Sequence, residues 1–598
     1  MKPFRIAIIG LGPKGLYALE RLVVEMTKLP ATPLMELHLF ERSGRFGSGT
    51  VYNPDQPGYL IMNYPNHKID VRYGTEHSST IPDLKNLLVW SISNGCREAL
   101  SENAFSPRRT VGKYLASSFK TVVDAAPDNL QIYCHHATVT GILETDGALG
   151  IGSTDHDGKR DEILVDRVML TSGHCSWKGK LETEHDPSGD NPSPDVPFVY
   201  PLQKKLARIR PTDNVAIKGL GLTFIDTVLA LTEGRGGRFE RANSKKLIYL
   251  PSNREPVGIL GFSRSGLPMV PRSGEEGKDD YRPRYFDYGT LMDGIAAGKR
   301  PNFIEHVLPL LVRETTYRYY KTLFAGYNME IYTGEDYSIF QNQTERFHTE
   351  HPHMERFDFG NLFRPVSHSD PSVELEPLAY LQYLLGEAGA GSLKSPFMAA
   401  ALTWGKISDI FCSVYNFGGM TPESHWLFDN RYRSRMNRIS YGPPLSNMEK
   451  MVALMEAGLL NMDYSKNPEI RKSPNGWKIK VMGRKAMAVD FLVDARIPTN
   501  RSVENWSPLL RSMKADGLVR EFMIRGTSSY RSACPEIEKS GNVVRADGSV
   551  SENITLYGTP TEGMTFDNDT LSRKRNDFAA AWALGCIEAS LTKHMIPK

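Results

Sequence analysis

Three glycines near the N-terminus have the spacing of a nucleotide-binding turn. Gly10, Gly12 and Gly15 form a G-x-G-x-x-G pattern after a short apolar run, and apolar residues recur at helical spacing from Leu16 onward. The first glycine permits a tight turn, the second lets the backbone approach a pyrophosphate, and the third lets the helix pack closely on the strand. The helix N-terminus adds N–H groups and partial positive charge that favour phosphate.

A carboxylate stands where a site of this kind needs one. Glu41 follows a second apolar run, Leu37 to Phe40. An acidic side chain at the end of this second strand can accept hydrogen bonds from the two ribose hydroxyls of an adenosine. The order of strand, glycines, helix, strand and acid therefore predicts a dinucleotide site. The alternative is a glycine-rich turn that serves packing alone.

A second pattern of this type begins two hundred residues later. A short apolar run ends in Gly219 and Gly221, and Thr223 lies in the first turn of the apolar helix that should follow. Phe224 occupies the third glycine position, so the close packing of helix on strand would have to be relaxed. The spacing predicts a second dinucleotide site with this one departure.

The strand expected after this second turn ends in basic and hydroxyl side chains. In "GILGFSRSGLPM" the apolar run ends in Ser263 and Arg264. Such a strand end suits a ribose 2′-phosphate, whereas an acid would suit an unphosphorylated ribose. The second site is therefore expected to take NADPH.

Length and composition limit the remaining possibilities. A chain of 598 residues is too long for one core, so we expect more than one domain. Lys and Arg less Asp and Glu give 72 − 69 = +3, which predicts no general affinity for nucleic acid or membranes. Six scattered cysteines without C-x-x-C indicate no dithiol redox centre and fit a reducing cytoplasm. No apolar run has membrane-spanning length.

The order of these patterns predicts an α/β fold with two Rossmann-like dinucleotide-binding domains and a mainly helical insertion. The first part of the first domain is expected over 1–180, and the core of the second over 210–275. Amphipathic spacing predicts the helical insertion, which shapes a substrate region, over 280–460. Residues 461–598 should return to the second domain and then to the first. "HDPSGDNPSPDVP", residues 185–197, is typical of a linker.

Two local expectations concern the first domain. Short β-like runs separated by turns predict a small antiparallel meander over 130–172, followed by a buried strand from Leu164 to Leu170. A closing helix is expected from about Thr570 to Leu591, because residues 567–570 all have side chains that cap helix N-termini.

Together these stretches resemble the bacterial FAD/NAD(P)-binding proteins related to flavin-dependent monooxygenases of the two-dinucleotide-domain type, which are N-hydroxylase-like. The matching stretches include "IAIIGLGPKGLYAL", "GSGTVYNPDQPGYLIMNYP", "FSPRRTVGKYL", "VAIKGLGLTFID", "GFSRSGL" and "LYGTPTEGMTF". They cover most of the chain, and their order is more specific than any one of them. The resemblance implies that the first domain binds FAD and the second binds NADPH.

The resemblance also implies roles for particular residues. Asn63 falls where the family has an asparagine close to the flavin, and Arg109 is placed near cofactor or substrate. Thr559 stands where many FAD proteins carry an aspartate. The implied FAD-binding residues are Gly10, Gly12, Gly15, Glu41, Asn63, Arg109, Gly558, Thr559 and Gly563, and the NADPH-binding residues are Gly219, Gly221, Thr223, Ser263 and Arg264.

By the same resemblance, the expected activity is that of an NADPH-dependent flavoprotein monooxygenase. A flavin C4a-(hydro)peroxide would transfer one oxygen from O₂ to a small molecule, at nitrogen or sulfur. Two alternatives remain open, namely an FAD/NADPH oxidoreductase without oxygen transfer and a non-catalytic FAD-binding protein. The sequence indicates no metal site, and it identifies neither a catalytic acid or base nor an oligomeric state.

Overall fold

The chain is described by a computed structural model that covers residues 2–29, 33–72, 79–97, 100–145, 147–173, 195–241, 246–273, 279–367, 370–497 and 502–595. It forms two compact units. Unit 1 comprises Met1–Ser176, Cys412–Glu423 and Pro498–Lys598, and unit 2 comprises Trp177–Phe411 and Ser424–Ile497. Most of the expected linker, 185–194, lies outside the described residues.

The strands are numbered in chain order. They are β1 Phe4–Ile9, β2 Met35–Phe40, β3 Leu130–His135, β4 Ala137–Thr145, β5 Ala148–Asp155, β6 Arg160–Val165, β7 Arg167–Leu170, β8 Asn214–Lys218, β9 Arg238–Arg241, β10 Leu247–Leu250, β11 Gly258–Phe262, β12 Leu460–Asn461, β13 Glu469–Ser473, β14 Gly476–Lys480, β15 Met487–Val489, β16 Phe491–Asp494, β17 Glu521–Arg525, β18 Ser529–Pro535, β19 Asn542–Val544 and β20 Val550–Leu556.

The α-helices follow the same convention. They are α1 Pro13–Lys28, α2 Leu87–Ser93, α3 Arg108–Asp124, α4 Leu202–Lys205, α5 Leu222–Leu231, α6 Tyr288–Met292, α7 Leu308–Gly326, α8 Tyr337–Glu350, α9 Pro377–Ala390, α10 Pro396–Ala401, α11 Thr403–Tyr415, α12 Pro422–Leu427, α13 Arg433–Ser440, α14 Leu445–Glu456, α15 Pro508–Ala515 and α16 Ala579–Met595.

Unit 1 is built on a six-stranded sheet with the order β19-β20-β7-β1-β2-β3. All neighbouring strands are parallel except β19, which runs antiparallel to β20. The central strand β1 is apolar and almost wholly buried, as expected for a strand that is covered on both faces. Strand β20 comes from the C-terminal part of the chain, so this domain is discontinuous in sequence.

The hairpin region between β3 and β7 departs from its predicted pattern. The run that starts at Leu130 is split between β3, at the edge of the main sheet, and β4, in a separate antiparallel sheet with β5 and β6. The strand expected from Leu164 to Leu170 is also divided, because Asp166 turns away to accept the N–H of Arg5 at 2.8 Å. The predicted meander exists, but its first and last strands belong to the main sheet.

Unit 2 is built on a four-stranded parallel sheet with the order β12-β11-β8-β16. Between Tyr288 and Glu456 the regular elements of the described residues are helical, and they include α6 to α14. The two parallel sheets, each carrying a glycine turn and a helix after its central strand, establish the α/β fold with two Rossmann-like domains.

A short piece of chain within this helical region belongs to unit 1. Residues Cys412–Glu423 pack there. The N–H of Phe417 donates to the carbonyl oxygen of Met564 at 2.8 Å, and the Asn416 side chain accepts the N–H of Phe566 at 2.9 Å. This loop thus fixes the segment that follows β20.

The closing helix begins later than predicted. Helix α16 starts at Ala579, whose N–H donates to the Asp577 carboxylate at 3.1 Å, rather than near Thr570. The side chains of residues 567–570 serve other contacts, and Asp567 has a positive φ of 62°, outside the helical region. None of the described helices is both long and apolar enough to cross a membrane.

Candidate functional site: two dinucleotide-binding turns

The first glycine turn lies between β1 and α1, at the carboxyl end of the unit 1 sheet. The N–H of Gly10 donates to the carbonyl oxygen of Phe40 at 2.8 Å, which ties the turn to the neighbouring strand. Gly10 has a φ of 98°, and a Cβ there would lie 2.7 Å from the carbonyl oxygen of Thr171. Gly15 packs against the Gly10 backbone in the same way. Two of the three glycines are thus required by packing.

The second glycine of this turn faces open space. A Cβ on Gly12 would meet no atom of the described residues within 4 Å. Gly12 is also the N-cap of α1 and supplies no side-chain cap, and Pro13 at N1 has no N–H to satisfy. The remaining N–H groups of the first helical turn therefore suit an anion from outside the chain.

Glu41 is buried beside this turn and has a second task that the sequence did not reveal. One carboxylate oxygen accepts the N–H of Leu11 at 2.9 Å, and the other accepts the N–H and hydroxyl of Ser43 at 3.0 and 2.7 Å. A carboxylate has about four acceptor positions, so it retains capacity for ribose hydroxyls. Glu41 both braces the glycine turn and remains suited to a nucleoside.

The loop after Glu41 covers the glycine turn. The N–H of Gly47 donates to the carbonyl oxygen of Leu11 at 2.7 Å, and a Cβ on Gly49 would lie 3.1 Å from the Cα of Gly12. Between them, Ser48 is buried, and its hydroxyl has no hydrogen-bond partner among the described residues. A buried hydroxyl without a partner costs free energy. A polar ligand at the turn would satisfy it, as the pyrophosphate of a dinucleotide would.

The predicted residues Asn63 and Arg109 lie in neighbouring segments of unit 1. The N–H of Met62 donates to the carbonyl oxygen of Ser106 at 2.9 Å, which joins the loop of Asn63 to the start of α3. Arg109, in the first turn of α3, packs its guanidinium against Gly58 in the same loop. The structure therefore brings these two together, and their contact with cofactor stays a prediction.

The exit of β20 meets the first turn from the other side. A Cβ on Gly558 would lie 2.9 Å from Cγ of Lys14, which is part of the glycine turn. Thr559 begins a short 3₁₀ turn, and Gly563 packs closely on β18. Fully buried Asn568 follows, and its Oδ1 has no partner in the part of the chain that the structure describes.

The second glycine turn, in unit 2, repeats this construction. The N–H of Gly219 donates to the carbonyl oxygen of Phe262, the last residue of the neighbouring strand, at 2.8 Å. Gly219 has a φ of 108°, and Gly221, the N-cap of α5, has no atom within 4 Å of its Cβ position in the part of the chain that the structure describes. Thr223 is buried in the first turn of α5.

The third position of the second turn shows how a phenylalanine is tolerated. The ring of Phe224 lies against Gly261 of β11, where a Cβ would come within 2.6 Å of its Cζ. A glycine on the adjacent strand thus replaces the glycine missing from the helix. We expected Phe224 to relax the close packing of the helix on the strand. Gly261, which is not part of the motif, allows this close packing instead.

The strand end beside this turn carries more positive charge than the sequence suggested. Ser263 and exposed Arg264 follow β11, which is parallel to β8. Lys466, also exposed, lies beside them, because Ser263 and Lys466 form an isolated parallel β-bridge. Sequence reasoning missed Lys466 because it lies about two hundred residues away, and only the position of β12 beside β11 brings it here.

The two sites therefore fit different dinucleotides. The unit 1 turn offers an unfilled helix N-terminus, a buried acid at the strand end and an unpartnered hydroxyl, which suit FAD. The unit 2 turn offers a similar helix N-terminus with two cations at the strand end, which suits the 2′-phosphate of NADPH. The assignment of particular residues to FAD or NADPH remains a prediction that binding measurements can test.

Comparison with known proteins agrees with this geometry. Residues 7–175 match the family model of FAD-NAD(P)-binding proteins. A nitrosuccinic acid synthase of Aspergillus oryzae is 26% identical over 94% of this chain and 88% of its own length. An L-aspartate N-monooxygenase (nitrosuccinate-forming) of Streptomyces cremeus is 27% identical over 94% of this chain and 90% of its own length.

A similar enzyme, an L-aspartate N-monooxygenase (nitrosuccinate-forming) of Streptomyces davaonensis, is 25% identical over 94% of this chain and 92% of its own. An ornithine N-hydroxylase structure from Kutzneria sp. 744 is 11% identical over 99% of this chain and 100% of that chain, with a TM-score of 0.43. These findings confirm the expectation, drawn from the family resemblance, of a flavin-dependent monooxygenase that uses FAD and NADPH. Of the two atoms expected as oxygen acceptors, nitrogen and sulfur, the names of the two L-aspartate N-monooxygenases give nitrogen for those relatives.

Proposed function

We propose that this protein hydroxylates the primary amine of an acidic amino acid, and that L-aspartate is its substrate. The proposal takes its substrate from three relatives whose similarity extends over 94% of this chain. Full-length similarity covers the helical region as well as both cofactor turns. The proposal therefore rests on more than a shared nucleotide fold.

The overall reaction balances with one molecule each of NADPH and O₂. One oxygen atom enters a new N–O bond on the amine, the other leaves as water, and NADPH supplies two electrons as hydride. FAD supplies the chemistry that accepts hydride and activates oxygen. Further rounds would carry the hydroxylamine toward a nitro group, the product named for the relatives.

The chain itself binds and orients the two cofactors. The open turn at Gly12 and the N-terminus of α1 accept the FAD pyrophosphate, while Glu41 accepts hydrogen bonds from its ribose. Arg264 and Lys466 hold the 2′-phosphate of NADPH. This pairing of an acidic and a basic strand end on two otherwise similar turns supports the two cofactors, while the similarity over 94% of this chain is the observation that carries the substrate.

The direct test is isotope incorporation by the purified holoenzyme. With NADPH, ¹⁸O₂ and L-aspartate, mass spectrometry should find one labelled oxygen in a hydroxylamine or two in a nitro product. Succinate, which has the same two carboxylates but no amine, is the matched control and should remain unlabelled. L-Glutamate and L-ornithine test side-chain length and charge.

Two results would overturn parts of the proposal. Consumption of NADPH with equivalent hydrogen peroxide and no labelled amine, across all the amino acids, would favour an oxidoreductase without oxygen transfer. If ¹⁸O enters the product of L-ornithine but not that of L-aspartate, the protein is still an amine hydroxylase, but its substrate is not an acidic amino acid.

A further inference from the structure

Lys14 is a buried ammonium whose hydrogen-bonding capacity is only partly used. It lies in the first turn of α1, between the second and third glycines, and is 9% exposed. Its Nζ donates to the carbonyl oxygen of Ser572 at 3.1 Å. An ammonium has three N–H donors, and within the described ranges no other hydrogen bond or ion pair of this group is found.

The surroundings of Lys14 do not neutralise it directly. Its Nζ lies 4.9 Å from the ring centre of Tyr557 and 5.8 Å from that of Tyr17. Two of the nearby carboxylates are held by arginines instead. Asp577 accepts from Arg573 at 2.9 Å, and Asp567 pairs with Arg575.

Burial has a measurable consequence for this group. It lowers the pKa of Lys14 to about 8, against the opposing attraction of Asp577, Asp569 and Asp567, while Arg573 lowers the pKa further. A buried ammonium with unused donors is costly unless an anion or another acceptor reaches it.

The position of Lys14 indicates what that acceptor is. Its backbone forms part of the turn that suits a pyrophosphate, and its Cγ lies against Gly558, which the family resemblance implies is an FAD-binding residue. Both neighbours belong to the same cofactor site.

We propose that Lys14 is a cofactor-binding residue whose ammonium N–H groups donate to an anionic oxygen of FAD. This inference rests on the FAD site of the proposed function and gives a binding role to a side chain within the glycine motif, in addition to its three glycines. The oxygen belongs either to the diphosphate or to the flavin ring, which becomes more negative on reduction. Both sources share the same chemistry, and the experiment separates them.

The test measures FAD release from the purified holoenzyme by the recovery of flavin fluorescence on dilution. Lys14→Met should weaken FAD binding about ten- to hundredfold, the range for one charge-assisted contact. Lys14→Arg, which keeps the charge, should restore most of the affinity. Melting curves of both variants, saturated with FAD, show whether each is folded.

The pH profile gives a signature that a packing role would not produce. Without FAD the pKa of Lys14 is about 8, and bound FAD should raise this pKa. The affinity of wild type for FAD should therefore be full below pH 8 and should fall as the pH rises above 8. Lys14→Met should lose this dependence, and Lys14→Arg should stay flat to higher pH. Equal affinity of wild type and Lys14→Met, or identical pH profiles, would overturn the inference.

The midpoint potential of the bound flavin identifies the oxygen. An unchanged potential in Lys14→Met, together with weaker FAD binding, places the contact at the diphosphate, because oxidised and reduced FAD then lose the same amount of binding free energy. A lowered potential places it at the flavin ring. If wild-type enzyme binds FAD yet fails to oxidise L-aspartate, the proposed substrate fails, and the inference on Lys14 is unaffected.

Discussion

Removal of the two cations beside β11 should change the preference for NADPH over NADH. Arg264 and Lys466 are both exposed and flank Ser263, at the place where a bound 2′-phosphate would lie. A charge-assisted contact contributes about 1.5–3 kcal/mol, and screening of exposed charges favours the lower end. Since about 1.4 kcal/mol is a factor of ten, each alanine variant should raise the NADPH concentration for half-maximal flavin reduction about tenfold.

The assay is anaerobic stopped-flow reduction of the flavin with NADPH and, separately, with NADH. NADH lacks the 2′-phosphate, so its constants should hardly change. Because both cations would contact one phosphate, the double variant should lose less than the product of the single losses. Lys480→Ala, at an exposed site on β14 in the same unit, is the control and should behave as wild type. Equal losses with NADH and NADPH would refute the assignment.

Three further substitutions test the FAD turn of unit 1, the packing of a helix on a strand in unit 2 and a buried ion pair in unit 1. Gly12→Asp should abolish FAD copurification, because it places negative charge in the open turn; normal flavin content would move the site elsewhere. Gly261→Val should destabilise the chain by about 1–3 kcal/mol, because its side chain would overlap the ring of Phe224; an unchanged melting temperature would contradict this packing. Arg573→Met should cost about 3–5 kcal/mol in urea unfolding, because it removes the buried partner at 2.8 Å from Glu20; a loss below 1 kcal/mol would show that the pair is not needed.

The sequence predicted those parts of the sites whose residues are close along the chain. Gly10, Gly12, Gly15 and Glu41 fall within one strand–helix–strand unit, so local spacing was sufficient. Lys466 was not predictable in this way, because it reaches Ser263 only through the placement of β12 beside β11.

Other differences arose where tertiary contacts overrode local chemistry. The capping side chains at 567–570 predicted a helix start, but Asp567 pairs with Arg575, and Asn568 donates to the Thr561 hydroxyl at 2.9 Å. These residues hold the segment after β20 in place. The side chain that caps α16 is instead that of Asp577. Likewise, Phe224 occupies the third glycine position and made the second motif less convincing. The residue that makes room for its ring, Gly261, lies on another strand, so the motif does not reveal it.

We propose that cofactor choice in this chain is set at the strand ends rather than in the glycine turns. Both turns donate an N–H to the last residue of the neighbouring strand at 2.8 Å, and both present an open second glycine. The difference lies between Glu41 on one sheet and Arg264 with Lys466 on the other. The side chains at these two strand ends cannot be replaced with equal ease, however. Glu41 also accepts the N–H of Leu11 at 2.9 Å, so its replacement would disturb the turn itself. Arg264 and Lys466 are exposed, so we expect their replacement to change specificity and to leave the fold intact.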